Sequence, residues 1–259
     1  MHRLAVLFVT IAIVPLFGNS IMIYVEAPHL IASSVANVTT ETFDELAAGK
    51  YSSKVVTLIG TYNGTTADPF EIVNPDSYGG AGGTGRYFAI GAQSGAAGPV
   101  LLTLTKDANY FGFWWSAGDN NNRITLLENG VQLASFSTAD LVKLLPNQAG
   151  HTVTAINGTT YKTTDYYGNP SQNYSDNTEP FAYIDVIGKG LVFNQIQFSN
   201  SGTTSTGFES DNHSIAYGVM APPTGDVFVE EVLSPEPACF ACVALGIASL
   251  SLARKLRHG

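Results

Sequence analysis

Short apolar segments, each about the length of one β-strand, recur through the middle of the 259-residue chain with turn residues between them. Glycine and asparagine occupy many of the breaks, and both tolerate the positive φ of tight turns. Asn129-Gly130 and the run Gly188-Lys189-Gly190 therefore predict hairpins. The pattern predicts an all-β fold, a single β-sandwich of jelly-roll type with one short helix. The predicted strands are residues 54–60, 86–92, 99–106, 109–116, 123–128, 131–137, 181–187, 191–198 and 214–219.

The one predicted helix covers residues 138–145. Ser137 and Asp140 have the spacing of a capping box, in which two side chains bind free backbone amides of the first turn. Pro146 cannot continue a helix and marks the end of this one.

The predicted folded region is acidic and has no cysteine. Every acidic residue except Glu26 lies between Asn37 and Pro237, together with eight of the 12 lysines and arginines, which gives this region a net charge of −12. Such a surface repels nucleic acid and anionic membranes, and it attracts cations such as Ca²⁺. Both cysteines, Cys239 and Cys242, lie near the C-terminus, so core burial, with or without a metal, must stabilise the fold without a disulfide.

The N-terminus has the pattern of a secretory signal peptide. His2 and Arg3 precede a long apolar run, and Ser34-Val35-Ala36 offers small residues at a cleavage site. Residues 1–36 are therefore predicted to be the signal peptide, with the mature chain beginning near Asn37. The other site, Val25-Glu26-Ala27, is poorer because Pro28 follows it directly.

The C-terminus, residues 234–259, combines three parts in order. Ser234, Pro235, Glu236 and Pro237 come first, the uncharged stretch 238–253 follows, and the basic residues Arg254, Lys255 and Arg257 close the chain. As a helix the stretch would be about 24 Å long, shorter than the hydrocarbon core of roughly 30 Å. A short helix with a rigid motif at its outer edge suits recognition and cutting better than permanent anchoring, although a plain membrane anchor has similar parts.

This tail resembles the PEP-CTERM sorting signal, with Ser234 where valine is frequent in the family. The aromatic segment 111–115, the segment 208–214 (FESDNHS) and the segment 42–45 (TFDE) extend the resemblance over most of the chain. The resemblance implies export, processing by an exosortase and a place on the cell surface or in the extracellular polysaccharide matrix. Membrane contact is then expected only through the tail, before processing.

Four aromatic residues are candidate ligand-binding groups. Strand alternation places Tyr110 and Trp114 on the face opposite Phe111, Phe113 and Trp115, where they either stack on a sugar or pack beneath a second layer. Tyr166 and Tyr167 lie in a segment, 159–178, whose mixture of tyrosine with small polar residues is typical of binding loops and of plain exposed loops alike.

Calcium is the one cofactor that the resemblance implies. In jelly-roll sugar binders, carboxylates of the first and last strands often share a structural Ca²⁺, and the matching residues here are Asp44 or Glu45 and Asp211, with Asn212 as a carbonyl donor. The alternative is that Asp211 and Asn212 stabilise a turn.

Catalytic motifs are weak in this sequence. The run Gly80-x-Gly82-x-x-Gly85 leads into a strand, whereas a dinucleotide-binding fingerprint leads into a helix, so residues 77–85 are predicted to be a loop. A pair of carboxylates for glycoside hydrolysis is assembled in space and leaves no motif; Glu128, Asp185, Glu209 and Asp211 are the candidates.

The function expected from the sequence is that of a non-enzymatic surface protein that binds extracellular polysaccharide or forms part of its matrix. A secreted carbohydrate-active hydrolase and a purely structural or adhesive surface component are the alternatives.

Overall fold

The computed structural model describes residues 19–170 and 175–233, and this part of the chain is mostly β-strand with one α-helix. The helix is α1 (Thr138–Leu144), and 3₁₀ turns occur at Ala81–Gly83 and Thr163–Tyr166. The strands are β1 (Ser20–Val25), β2 (Thr39–Glu41), β3 (Gly49–Tyr51), β4 (Lys54–Val56), β5 (Gly60–Asn63), β6 (Phe70–Val73), β7 (Tyr87–Gly91), β8 (Val100–Ala108), β9 (Tyr110–Ser116), β10 (Asn122–Glu128), β11 (Val131–Ser137), β12 (Thr152–Thr154), β13 (Thr160–Lys162), β14 (Tyr167–Asn169), β15 (Ser175–Pro180), β16 (Ala182–Lys189), β17 (Phe193–Asn200), β18 (Gly207–Ala216) and β19 (Val227–Leu233).

Two open sheets form an all-β sandwich. The larger has the order β19-β1-β16-β9-β18-β7-β6-β3, with β2 added beside β18, and the smaller has the order β11-β10-β17-β8-β5-β4. One apolar core lies between them, where Phe88 of the larger sheet meets Phe198 of the smaller at 5.2 Å between ring centroids. The strands β12–β13 and β14–β15 form two short separate hairpins.

The aromatic strand β9 alternates as predicted. Phe111, Phe113 and Trp115 point into the core between the sheets. Tyr110 and Trp114 belong to two smaller apolar clusters on the outer face of the larger sheet. The core is thus supplied by every second residue of the strand.

The local predictions for α1 and for the β10–β11 hairpin are confirmed. Ser137 and Asp140 form the capping box at the start of α1. Asn129 and Gly130, with φ of 51° and 82°, connect β10 to its antiparallel neighbour β11. The 77–85 segment is irregular apart from its single 3₁₀ turn, as expected of a loop.

Two other local predictions are wrong. Residues 54–60 form no single strand, because a turn in which the Thr57 amide donates to the Gly60 carbonyl folds β4 against β5. The turn at Gly188–Gly190 joins no hairpin, since β16 pairs with β1 and β9 whereas β17 pairs with β10 and β8 in the other sheet. Turn chemistry permits a reversal of the chain but does not decide which sheet the next strand joins.

The predicted boundary of the folded domain at Asn37 is also wrong, because β1 lies inside the larger sheet between β16 and β19. Ile21, Ile23 and Val25 are fully buried in the main core. A cut after Ala36 would remove this strand. The remainder of the predicted signal peptide, residues 1–18, and the predicted sorting tail, residues 234–259, lie outside the described residues. Within the described ranges, no helix is long and apolar enough to cross a membrane.

Residues 27–38 form an irregular segment, here called the N-terminal strap, across the outer face of the larger sheet. Ile31 packs on the cluster around Trp114, and Val35 and Val38 pack on the cluster around Tyr110. The strap then leads into β2, which pairs with β18. The strap thus forms a partial second layer over strands that would otherwise face solvent.

Candidate functional site

The four aromatic residues predicted to bind a ligand are all buried. Tyr110 and Trp114 are 0% and 1% exposed, and the N-terminal strap covers them. The Tyr166 hydroxyl donates to the Glu26 carbonyl at 3.0 Å, and the Tyr167 hydroxyl donates to the Leu145 carbonyl at 2.7 Å. None of these rings offers a free face to a sugar, so the prediction of an aromatic platform at these positions is wrong.

The carboxylates implied to hold calcium are occupied by backbone amides. Asp211 accepts the Ala81 amide at 2.8 Å through Oδ2 and the Asn212 amide at 2.7 Å through Oδ1, and burial raises its pKa to about 8. Asp44, which is exposed, accepts the Arg86 amide at 2.7 Å. Asp211 therefore holds the middle of the 77–85 segment, here called the glycine-rich loop, and Asp44 holds the residue that directly follows it, which argues against a shared ion.

Glu45 and Asn212 do not complete such a site either. Glu45 is exposed. Asn212 has a φ of 48° at a bulge in β18, its side-chain amide donates to the Ile31 carbonyl at 2.6 Å, and its own carbonyl accepts the Tyr183 hydroxyl at 3.0 Å. The bulge therefore helps to hold the N-terminal strap, and it lies within β18 and not at a turn.

A different group of carboxylates converges under the strap. Glu26 follows β1, Asp185 lies in the middle of β16, and Asp226 immediately precedes β19. One oxygen from each lies within 4.8 Å of the other two, and the three residues are at most 1% exposed. Among the described residues this is the one cluster of three or more metal-ligating side chains. It is called the acid cluster below.

Neutral donors surround part of the acid cluster. Ser34 donates to Glu26 through its amide at 2.7 Å and its hydroxyl at 2.5 Å. The Tyr110 hydroxyl donates to Asp185 Oδ1 at 2.5 Å, so the bond of 2.6 Å between Tyr110 and Ser33 must be donated by Ser33. These bonds leave Asp185 Oδ2 and Asp226 Oδ2 without a hydrogen-bond partner.

Burial raises the pKa of all three acids, and the charge of Glu26 raises the pKa of Asp185 and Asp226 further. Burial is the main cause for Glu26 and for Asp185, whose pKa is well above its ordinary value, and the charge of Glu26 raises that of Asp185 further. Burial followed by the charge of Glu26 raises the pKa of Asp226 to about 7. Asp185 and Asp226 also lie within hydrogen-bond range of each other, but two ionised carboxylates are both acceptors. The cluster therefore needs a proton or a cation to be satisfied.

A large open cavity lies at the end of the sandwich where β1 begins. Its volume is about 900 Å³, and we call it the end groove. Tyr217, 44% exposed, lines it with the Lys106 ammonium 4.1 Å from the centre of its ring. Asn109 holds Val219 in the lining of the groove. Its side-chain amide donates to the Val219 carbonyl at 2.7 Å, and its side-chain oxygen accepts the Val219 amide at 3.0 Å. Glu128 and Lys189 add charged groups to a lining that also contains Tyr24.

A smaller cavity of about 340 Å³ surrounds Glu209. Glu209 is 3% exposed and hydrogen-bonded to the Gln93 amide, and burial raises its pKa well above the ordinary range. Asp119 and Glu179 line the same cavity. Sequence reasoning proposed Glu209 but had no signal for these two acids, since they come from loops and strands far apart in the chain.

The four carboxylates proposed for hydrolysis are distributed over different environments. Asp185 belongs to the acid cluster, Glu128 lines the end groove, Glu209 lines the smaller cavity, and Asp211 binds the glycine-rich loop. No two of the four lie in the same environment, so a hydrolytic pair would need at least one carboxylate outside the predicted set.

His213 is the buried histidine of β18 and lies in the core. Its Nδ1 is 2.7 Å from the Tyr62 hydroxyl and its Nε2 is 2.8 Å from Ser210 Oγ. Five phenylalanine rings lie within 6.2 Å of its ring centre, including Phe43 at 5.0 Å. Burial lowers its pKa to about 3, so His213 is a neutral, hydrogen-bonded part of the core at physiological pH.

The fold defines an all-β sandwich protein. No protein-family model matches the chain, and no curated protein matches it.

Proposed function

We propose that this chain is an exported, non-catalytic β-sandwich of jelly-roll type that binds extracellular polysaccharide through the end groove. The observation that carries the proposal is the half-exposed Tyr217 ring in an open cavity of about 900 Å³ with charged groups around it. Sugar rings combine apolar C–H faces with many hydroxyls. An exposed aromatic ring with polar neighbours suits both.

The position of the chain ends supports the proposed sorting pathway. Ser20 pairs with Leu233 across β1 and β19, so the two ends of the described chain lie side by side, and Asn19 lines the end groove. Ser234 and the Pro235-Glu236-Pro237 motif follow β19 directly in the sequence. We propose that an exosortase cuts this tail after export, and that the domain then enters the polysaccharide matrix at the cell surface or beyond it.

Affinity electrophoresis of the full chain in non-ionic detergent tests the groove. The gels contain neutral dextran or xylan, or anionic alginate, and retardation measures binding. Tyr217→Ala should weaken binding about two- to twelvefold, because one stacked aromatic ring contributes on the order of 0.5–1.5 kcal/mol beyond the area that it buries. Tyr78→Ala is the comparison variant, since Tyr78 is exposed to a similar extent, 48%, and lines the smaller cavity. A larger loss of binding in Tyr78→Ala than in Tyr217→Ala would favour the smaller cavity as the binding site.

Two results would count against the groove. One is the absence of retardation by every polysaccharide, and the other is equal retardation of the wild type and Tyr217→Ala. Unchanged thermal midpoints of both variants would show that lost binding is not lost folding. The structural or adhesive alternative gains if no polysaccharide binds.

A carbohydrate-active hydrolase is the second candidate function. The raised pKa of Glu209 favours hydrolysis, because glycosidases use a protonated carboxylic acid together with a nearby carboxylate. Asp119 and Glu179 line the same cavity. Release of reducing sugar from the same polysaccharides, abolished in Glu209→Gln, would support hydrolysis. No release by the wild type would leave the non-catalytic proposal in place.

A further inference from the structure

The acid cluster places three carboxylates in the interior, and among the described residues no lysine or arginine forms an ion pair with them. The ion pair found in the described part of the chain, Lys143 with Asp140, lies on α1. The groups that donate to the cluster, Ser34 and Tyr110, are neutral. Burying an unpaired carboxylate is strongly unfavourable, and three together repel one another as well.

Two carboxylate oxygens of the acid cluster lack a hydrogen-bond donor, and their position indicates where a compensating charge would bind. Asp185 Oδ2 and Asp226 Oδ2 are buried in residues at most 1% exposed, and neither has a hydrogen-bond donor. Donors fill the outer side of the cluster, where Ser34 meets Glu26 and Tyr110 meets Asp185 Oδ1. The two acceptors that lack a donor therefore belong to Asp185 and Asp226, which lie within hydrogen-bond range of each other.

The spacing suits a hard divalent cation. Three oxygens at most 4.8 Å apart all lie within about 2.8 Å of one common point, which is close to the 2.3–2.6 Å of Ca²⁺–oxygen bonds. Asp185 Oδ2 and Asp226 Oδ2 have no hydrogen-bond partner and are free to bind the ion. The rest of the six to eight oxygens that Ca²⁺ accepts in flexible geometry would come from the other carboxylate oxygens and from backbone carbonyls. Mg²⁺ demands stricter octahedral geometry and retains water, so it suits this water-poor position less well.

We propose that Glu26, Asp185 and Asp226 form a buried Ca²⁺ site that ties the end of β1 to β16 and to the start of β19. Through the two Ser34 bonds to Glu26 the ion also anchors the N-terminal strap over Tyr110. The site is distinct from the Asp44–Asp211 set that the family resemblance implies, and it does not depend on the end groove.

Terbium luminescence on the full chain in non-ionic detergent tests the site. Tb³⁺ replaces Ca²⁺ at oxygen-rich sites, and Tyr110, hydrogen-bonded to Asp185, is near enough to sensitise it. After chelator treatment, the wild type should bind about one Tb³⁺ that Ca²⁺ displaces, and Ca²⁺ should raise the thermal midpoint by about 5 °C or more. Asp226→Asn should weaken Tb³⁺ binding at least tenfold.

Asp211→Asn and Asp44→Asn are the matched controls, and both should retain the terbium signal. Loss of the signal in Asp211→Asn with retention in Asp226→Asn would overturn the proposal in favour of the other acid set. A wild type that neither binds Tb³⁺ nor responds to Ca²⁺ would overturn it as well. An Asp226→Asn variant that melts higher than the wild type at pH 8, with no Ca²⁺ effect on either, would show that shared protons satisfy the cluster. Glu26→Gln repeats the test if Asp226→Asn does not fold, and it should lose the same signal.

Discussion

A chain that begins at Asn37 is expected not to fold, whereas a chain that begins at Asn19 is expected to fold. The shorter chain lacks β1, whose Ile21, Ile23 and Val25 are fully buried. Burial of one such side chain stabilises the native state by roughly 1.5–3 kcal/mol, so the three together contribute about 5–9 kcal/mol. The whole free energy of unfolding of a typical domain is only about 5–15 kcal/mol.

The loss of β1 also disrupts its neighbours. Strand β19 lies at the sheet edge and pairs with β1 alone, so it loses its partner, and β16 becomes an edge strand. The N-terminal strap is lost with β1, which uncovers the buried Tyr110 and Trp114. These effects add to the lost burial energy of about 5–9 kcal/mol, so the expected destabilisation is comparable with the total free energy of unfolding of a typical domain.

Urea unfolding of the two truncated chains, 19–233 and 37–233, measures the difference. Tryptophan fluorescence reports the transition, because Trp114 and Trp115 are both 1% exposed. The longer chain should unfold cooperatively, and the shorter should show no transition. Ile23→Asn in the longer chain should cause a large part of the loss, while Leu30→Asn, at a strap position that is 41% exposed, should not. Cooperative unfolding of 37–233 at the same urea concentration would refute the reasoning.

Two further predictions concern single buried positions. Burial lowers the pKa of His213 to about 3, from about 6.5 in the unfolded chain. Neutral His213 therefore contributes fully to the free energy of unfolding above pH 6.5, and this contribution falls as the pH drops towards 3. Between pH 6.5 and 4.5 the wild type should therefore lose about 2–3 kcal/mol relative to His213→Gln; parallel urea titrations measure it, and the difference cancels the opposite effect of buried acids whose pKa is raised. Gly112→Ala would place a Cβ against the Tyr110 hydroxyl and 2.8 Å from the Tyr183 ring, so we expect a loss of about 2–3 kcal/mol. Gly225→Ala, whose Cβ would meet nothing closer than 3.6 Å, should change the unfolding free energy by less than about 0.5 kcal/mol, and equal effects would contradict the steric argument.

Much of the sandwich is predictable from the sequence because its signals are local. The inward and outward alternation of β9, the capping box of α1 and the Asn129-Gly130 turn each depend on residues within a few positions of one another. The alternation of side chains along a strand and the capping of a helix depend on local sequence, so they form wherever such a segment lies in the fold. The class of fold follows from many such segments together.

The strand β1 shows where local information is ambiguous. An apolar run near the N-terminus suits a signal peptide and a buried strand equally well, since both lack polar residues and composition does not distinguish them. Only pairing with β16 and β19, at positions more than 150 residues away, decides the matter.

The amino-acid sequence alone shows that the chain is acidic and has no cysteine in its folded region, and it predicts a fold of mostly β-strands and a sorting signal at each end. Contacts between distant segments settle which aromatic residues are covered and which carboxylates meet. Ser33 reaches Tyr110 across 77 positions, and the acid cluster draws on Glu26, Asp185 and Asp226. Such contacts depend on how the strap and the sheet edges fold back on the sandwich, and no periodicity within a single segment encodes that arrangement.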